Sequence, residues 1–194
     1  MNREFDYPAY GPDGVQVLTT VDGPYADALM DTSVCHLGAG EEKWFFFPND
    51  ECAFLLIEGE VTFAWGGKRA AGKRTGCFDD GAEACALHVP RNTAVTLKAA
   101  VTSKVFVVST ENERDFHARF YATEDIRNVT SCAGICGGTC ERKVTTVFDD
   151  VTAPCSNLVL GETYPLPGKW CGYPPHEHPQ PEVYYYRIDR PEGF

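Results

Sequence analysis

Short runs of apolar and β-branched residues, separated by Gly, Pro, Asn and Asp, dominate the first half of the chain. Alternating apolar and polar positions, and apolar runs of strand length, predict β-strands when turn residues bound them. Gly66 and Gly67 follow one such run and are a hairpin signal. Many short strands with glycine-containing turns are typical of a sandwich or barrel. The predicted strands cover residues 42–47, 53–65, 86–89, 93–99 and 104–109.

Helical periodicity is weak throughout the sequence. The one helix candidate covers residues 111–121, and the polar stretch 112–140 ends rich in glycine and cysteine. Strand-like patterns resume at residues 143–148, 158–163 and 182–188. The pattern therefore predicts a mostly β protein in which a connector separates two strand-rich parts.

A faint internal repeat relates these two parts. A duplicated β-barrel would leave identical residues at a constant offset along the chain. Such pairs are Pro48 with Pro179, Glu51 with Glu182, Ile57 with Ile188, and Phe63 with Phe194.

The charge of the chain limits its partners. Lys and Arg total 17 against 28 Asp and Glu, a formal net charge of −11. An acidic surface repels phosphate backbones and anionic lipid headgroups, which argues against nucleic-acid and membrane binding. The first residues lack an apolar leader, and no run of about 18 apolar residues occurs. We therefore expect a cytoplasmic protein whose nine cysteines are reduced thiols.

His176, His178 and Glu182 form the pattern with the clearest chemistry. Histidines two positions apart point to the same side of an extended strand, and the glutamate follows a Pro-Gln-Pro bend. Two imidazoles and one carboxylate suit Zn, Fe, Mn, Ni or Co, and these ligands alone do not choose among them. The competing interpretation is a proline-rich surface loop with two solvated histidines.

This H-x-H-x3-E pattern resembles the first half of the metal motif of the cupin superfamily, which a further histidine on a later strand completes. If Glu51 takes the place of the motif glutamate in the first half, apolar Phe45, Phe47 and Val95 fall on the histidine positions. Apolar side chains there predict a first barrel with a packed interior and no metal. Glu51 is then expected at the lip of that barrel.

The stretch from residue 158 to the last residue resembles the 5-deoxy-glucuronate isomerase family more specifically. The resemblance implies a mostly β bicupin (an RmlC-like jelly roll) with a metal-free first barrel and a metal-bearing second one. It gives an N-terminal barrel at residues 1–111, a connector at 112–150 and a partial C-terminal cupin at 151–194. The motifs are Gly168-Lys-Trp170, Tyr173-Pro-Pro-His176-Glu-His178, Glu182-Val-Tyr-Tyr-Tyr-Arg187 and Pro191-Glu-Gly-Phe194.

Members of this family continue beyond the position of Phe194, with further strands and the closing histidine. We therefore expect a truncated family member with a complete first barrel and an incomplete second barrel. Three metal ligands would remain and the fourth would be missing.

The implied function is the aldose–ketose isomerisation of 5-deoxy-glucuronate, a small sugar acid, in myo-inositol catabolism. The implied cofactor is a divalent metal (Zn, Mn or Fe) held by His176, His178 and Glu182. Such a metal would act as a Lewis acid while a base moves a proton between carbons through an enediol. The sequence does not identify that base.

Three residues near the motif are candidates for substrate binding. Tyr184 and Tyr186 share the strand parity of Glu182, so we expect them to face the barrel interior, where hydroxyls could bind a sugar. Arg187 could receive a carboxylate. Core aromatic packing and a surface salt bridge are the competing interpretations.

Three other functions remain open. Two histidines and one carboxylate also suit a non-haem iron oxygenase, although those enzymes usually place the second histidine far along the chain. A non-catalytic sugar-binding cupin or inactive remnant would keep the fold without the activity. A homo-oligomer in which subunits complete each other's barrels is the third.

The remaining cysteines and histidines give weaker signals. Cys132, Cys136 and Cys140 recur at every fourth position in a glycine-rich loop, which matches no usual zinc pattern. Incidental reduced thiols are therefore preferred over a metal or iron–sulfur site. The isolated histidines, His36, His88 and His117, are expected to be structural or surface residues.

Overall fold

A computed structural model describes residues 7–23, 25–172 and 176–189, and these residues are mostly β. Nine strands form one sheet and three form a second. The helical elements among them are short 3₁₀ turns at Ala26–Ala28, Thr123–Asp125 and Ile135–Gly138. No helix in this part of the chain is long and apolar enough to cross a bilayer. The strands are β1 (Val15–Thr19), β2 (Asp31–Leu37), β3 (Glu42–Phe47), β4 (Asp50–Trp65), β5 (Lys68–Arg74), β6 (Ala86–Val89), β7 (Thr93–Ala99), β8 (Ser103–Glu111), β9 (Arg119–Tyr121), β10 (Arg127–Ser131), β11 (Arg142–Phe148) and β12 (Leu160–Pro165).

Strand β4 organises the larger sheet because its two halves pair with different neighbours. The first half lies between β8 and β6, with Phe54 opposite Val107 and Leu87. The second half lies between β5 and β7, with Phe63 opposite Leu97. The nine strands therefore form two layers that share β4, with the orders β1-β2-β8-β4-β6-β9 and β3-β7-β4-β5.

The transition between the layers lies at Gly59. A register shift between Leu56 and Glu58 interrupts the pairing of β4 with β8. Gly59 has a φ of +105°, and a Cβ atom there would lie 2.2 Å from Oγ of Ser103. Bulges and glycines bend strands and allow close backbone approach. This stretch thereby lets a single strand serve both layers.

The two layers enclose an apolar core. Phe54 and Leu56 of β4 pack with Phe63, Leu87 and Leu97, and all five side chains are fully buried. Burial of apolar surface is the dominant favourable contribution to folding. The layered packing of short strands confirms the mostly β fold that the sequence pattern predicted; the complete first and incomplete second barrels remain predictions.

The opposite face of the first layer is also buried. Ala53, Leu55 and Ile57 of β4 belong to a second apolar cluster with Phe148 and Leu160 of the smaller sheet. A strand covered on both faces requires apolar residues at consecutive positions. This explains why residues 52–57 form a continuous apolar run.

A buried ion cluster joins the smaller sheet, β10-β11-β12, to the larger one. The guanidinium of Arg74 on β5 is fully buried and donates hydrogen bonds to Glu162 on β12 at 3.0 and 3.1 Å. It also donates to Asp79 at 2.8 and 3.0 Å and to the Tyr164 hydroxyl at 2.6 Å. Two carboxylates thus compensate one buried cation at the junction of the sheets.

Two predicted elements differ from the structure. The helix predicted for residues 111–121 is wrong, since Glu111 ends β8 and β9 pairs with β6, placing Phe120 opposite Leu87. The edge of β6 provides backbone partners that local propensity does not reveal. Residues 182–188, predicted as a strand, are not assigned as one; their side chains nevertheless alternate between exposed and half-buried.

Candidate functional site

The three predicted metal ligands lie next to one another. The ring centroids of His176 and His178 are 4.8 Å apart, with the ring planes at 89°. Nε2 of His178 lies 3.4 Å from Oε1 of Glu182, and both side chains are more than one-third exposed. The part of the motif that precedes them, residues 173–175, and the final motif, residues 191–194, lie outside the described residues.

These donors fit a divalent metal in their chemistry but not in their present arrangement. Imidazole and carboxylate are ordinary ligands of divalent transition metals. Within the described ranges, however, no group of three His, Cys, Asp or Glu side chains is placed to hold one ion. His178 and Glu182 contact each other directly. In a metal site, by contrast, both side chains would point at an ion placed between them. Binding of one ion would require these side chains to move apart.

The outer face of the same segment carries the two tyrosines. The hydroxyl of Tyr184 donates to Oε2 of Glu182 at 3.2 Å, and the rings of Tyr184 and Tyr186 stack at a centroid distance of 6.0 Å. Tyr184 and Tyr186 therefore lie on the same side of the segment as Glu182, as predicted from their spacing. Both side chains are exposed and not enclosed by other described residues, since Tyr184 is 63% exposed and Tyr186 is 58% exposed.

The inner face of the segment packs against the larger sheet. Tyr185 lies over Phe106 of β8 at a centroid distance of 5.9 Å. Arg187 contacts Oε2 of Glu58 at 3.4 Å, and Glu58 also pairs with Lys104 at 2.8 Å. Burial alone would raise the pKa of Glu58, but the hydrogen bonds and charges of Lys104 and Arg187 lower it overall. The Arg187 cation is therefore engaged by an ionised carboxylate.

The three positions in the first half that the sequence comparison aligned with the motif histidines pack in the apolar core of the larger sheet: Phe45, Phe47 and Val95. Phe45 lies opposite Val95 across β3 and β7 and packs against Phe54 at a centroid distance of 5.2 Å. Phe47 packs against the same core. These three positions offer no nitrogen or oxygen side-chain ligand.

The expectation that Glu51 lies at the barrel lip is wrong. It is fully buried, and its carboxylate accepts hydrogen bonds from His88 Nε2 at 2.8 Å and Ser156 Oγ at 2.8 Å. The backbone N–H of Asn157 and the side-chain amide of Asn112 donate to its other oxygen. Residues 155–157 cover this end of β4 and bury Glu51. The sequence of β4 alone does not indicate that this segment packs there.

His88 is a buried structural residue, in agreement with its predicted role. Its ring stacks on Phe148 at 4.2 Å and lies 4.6 Å from the ring of Phe116. A cleft of about 170 Å³ opens beside it, lined also by Tyr121 and Ser156. Sequence reasoning missed the Glu51–His88 pair, although one charged or polar residue inside each of two apolar strands was an available signal.

The comparisons with known proteins point to one family. The model of the KduI/IolB family matches residues 8–194. A 5-deoxy-glucuronate isomerase from Bacillus velezensis is 23% identical over 193 residues, covering 93% of this chain and 69% of the relative. One from Bacillus licheniformis is 22% identical over 195 residues, with the same coverage.

A solved structure supports the fold. An IolB-like protein from Salmonella typhimurium LT2 matches with a TM-score of 0.73 at 17% identity. The match covers 84% of this chain and 60% of that protein, so this chain spans less than two thirds of its length. Because the family model covers nearly the whole sequence, the chain belongs to the KduI/IolB family.

Proposed function

We propose that the chain acts as an aldose–ketose isomerase on 5-deoxy-glucuronate, the substrate named for its curated relatives. The observation that carries this proposal is the cluster of His176, His178 and Glu182 on one segment of a family member. Isomerisation moves a proton between adjacent carbons through an enediol, and a positioned acid or base is needed at each end.

We further propose that His176, His178 and Glu182 bind a divalent ion after a small rearrangement of their side chains. Their exposure leaves room for this movement. A bound ion would supply Lewis-acid polarisation of a sugar oxygen. The ordinary ligand preferences of imidazole and carboxylate allow Zn, Mn or Fe.

The tyrosines would orient the sugar. Partial burial, with Glu182 beside Tyr184 and Cys171 near Tyr186, raises the pKa of both hydroxyls above the usual value. Both therefore stay protonated at neutral pH and can donate hydrogen bonds to hydroxyl or carboxylate oxygens. Arg187 would receive the substrate carboxylate only in exchange for its contact with Glu58.

Elemental analysis of protein purified without chelators tests the metal proposal. We expect a stoichiometric divalent metal in the wild-type protein and its loss in His176→Ala. The matched control is His117→Ala, an exposed histidine outside this segment, which should keep the metal. Equal metal content in all three proteins, or none in the wild type, would overturn this assignment.

The activity is tested separately by NMR. With 5-deoxy-glucuronate in D2O, we expect ketose signals and deuterium incorporation at C1 of the ketose, since the proton removed from C2 exchanges with solvent before the enediol is protonated at C1. Tyr184→Phe should weaken substrate binding more than turnover. Iron-dependent O2 consumption without ketose formation would instead support the oxygenase interpretation.

A non-catalytic sugar-binding role is the second candidate, favoured by the openness of the proposed site. Glu182, Tyr184 and Tyr186 form an exposed face, whereas catalytic sites are usually concave and partly closed to water. Saturable binding of the sugar acid without deuterium exchange would favour this role. Measurable turnover would exclude it.

A further inference from the structure

The hairpin between β10 and β11 ends in an unusual loop that carries three cysteines. Ser131 pairs with Arg142 at the base of the hairpin. Above this pair, Cys132 and Cys136 have φ values of +55° and +49°, which L-residues seldom adopt. Gly134, Gly137 and Gly138 are left-handed as well. The hydroxyl and the backbone N–H of Thr139 donate to the carbonyl of Cys136 at 2.8 and 3.3 Å, which closes a tight turn between Cys136 and Cys140.

Cys136 and Cys140 flank this turn and differ in exposure. Cys136 is exposed, whereas Cys140 is buried. Burial is the main cause that raises the pKa of the Cys140 thiol. Thr139 also lies against Cys140, with its hydroxyl oxygen 3.9 Å from Sγ. The Cys136 thiol is therefore accessible to reagents in solution, whereas the Cys140 thiol is shielded from them.

Cys132 has a different environment in the same loop. Its sulfur accepts hydrogen bonds from Ser131 Oγ at 3.6 Å and from Arg142 at 3.4 Å, which lower the pKa of this thiol. The three sulfurs are not placed to hold one metal ion together, since the described residues contain no such group. A thiol–disulfide function therefore fits the loop better than metal binding.

We propose that Cys136 and Cys140 form a reversible redox pair that reacts with low-molecular-weight disulfides. The Cys136 thiolate attacks one sulfur of the reagent, forming a mixed disulfide and releasing the first thiolate. The Cys140 sulfur, on losing its proton, then attacks Cys136, which closes an intraloop disulfide and releases the second thiolate. Two protein thiols are oxidised and one disulfide reagent is reduced to two thiols. In a reducing compartment, disulfides of this kind are usually transient and redox-sensing.

The proposal is tested on the full chain with oxidised glutathione under native conditions, followed by thiol blocking, intact mass measurement and peptide mapping. We expect a disulfide between Cys136 and Cys140 that dithiothreitol reverses. Cys140→Ser should instead trap glutathione on Cys136. Cys132→Ser should still form the pair. Cys171, an exposed cysteine outside the loop, should keep its glutathione adduct and serves as the internal control.

Two outcomes would overturn the proposal. One is a stable glutathione adduct on wild-type Cys136, equivalent to that on Cys171, because it would mean that Cys140 does not resolve it. The other is a mapped disulfide that joins any other pair. Circular dichroism of each serine variant separates loss of reactivity from loss of fold.

Discussion

At the scale of single residues, the most informative side chain is Glu51. Burial by itself would raise its pKa, but hydrogen bonds from His88, Asn157 and Ser156 more than offset this and lower the pKa below its usual value. The folded protein therefore holds this carboxylate ionised, while the unfolded chain takes up a proton more readily as the pH falls. Such a group adds stability at neutral pH that is lost in acid.

Replacing Glu51 with Gln should destabilise the fold by about 2–3 kcal/mol at pH 7, because an amide group would face buried donors. The loss should shrink as the pH falls from about 6 to about 3, since protonation removes the same charge from the wild-type protein. Urea unfolding at a series of pH values measures this. Glu42→Gln, at an exposed position on β3, is the control and should change little. A Glu51→Gln effect that is independent of pH would contradict the argument.

At the scale of secondary-structure elements, the dual role of β4 depends on Gly59. Its positive φ and its closeness to Ser103 both oppose a side chain. Gly59→Ala should therefore cost roughly 2 kcal/mol or more. Gly66→Ala is the matched control, because its φ is also positive but a Cβ there meets no atom within 4 Å. Its cost should be about 1 kcal/mol. Similar losses in denaturant unfolding would show that the Ser103 contact is unimportant.

The junction between the two sheets depends on Arg74. Arg74→Ala would leave the partly buried carboxylates of Asp79 and Glu162 without their cation, and we expect a loss of about 3 kcal/mol in the free energy of unfolding. Arg74→Lys should recover only part of it, since an ammonium cannot replace the two-sided guanidinium contacts. Arg69→Ala, exposed on the same strand, should stay within about 0.5 kcal/mol of wild type. Equal effects of Arg74→Ala and Arg69→Ala would refute the bridging role.

At the scale of the whole molecule, residues 182–188 are a candidate for association between copies. They are assigned to neither sheet, and their outer face exposes Tyr184 and Tyr186. Unpaired backbone beside exposed aromatic side chains favours pairing with another chain. Each copy carries a net charge of −11, so mutual repulsion opposes association at low salt.

We therefore expect a concentration-dependent molar mass in light scattering, with more dimer at high salt. Tyr186→Lys should shift the population to monomer by adding charge and removing an aromatic contact. Trp44→Lys, at an exposed aromatic position on β3, is the control and should leave the mass unchanged. A monomer at every concentration and salt condition would rule out this form of association.

The sequence by itself determined the strand positions in the first half, the mostly β class and the family motif around His176. Strand patterns and turn residues are properties of neighbouring positions, so they can be read locally. Only the tertiary structure decided the burial of Glu51, the pairing of β9 with β6, the exposure of Tyr184 and the different exposure of Cys136 and Cys140. Glu51 illustrates the reason: its partners Ser156 and Asn157 lie more than a hundred positions away. Their proximity arises from the packing of one sheet on another, which no local pattern encodes.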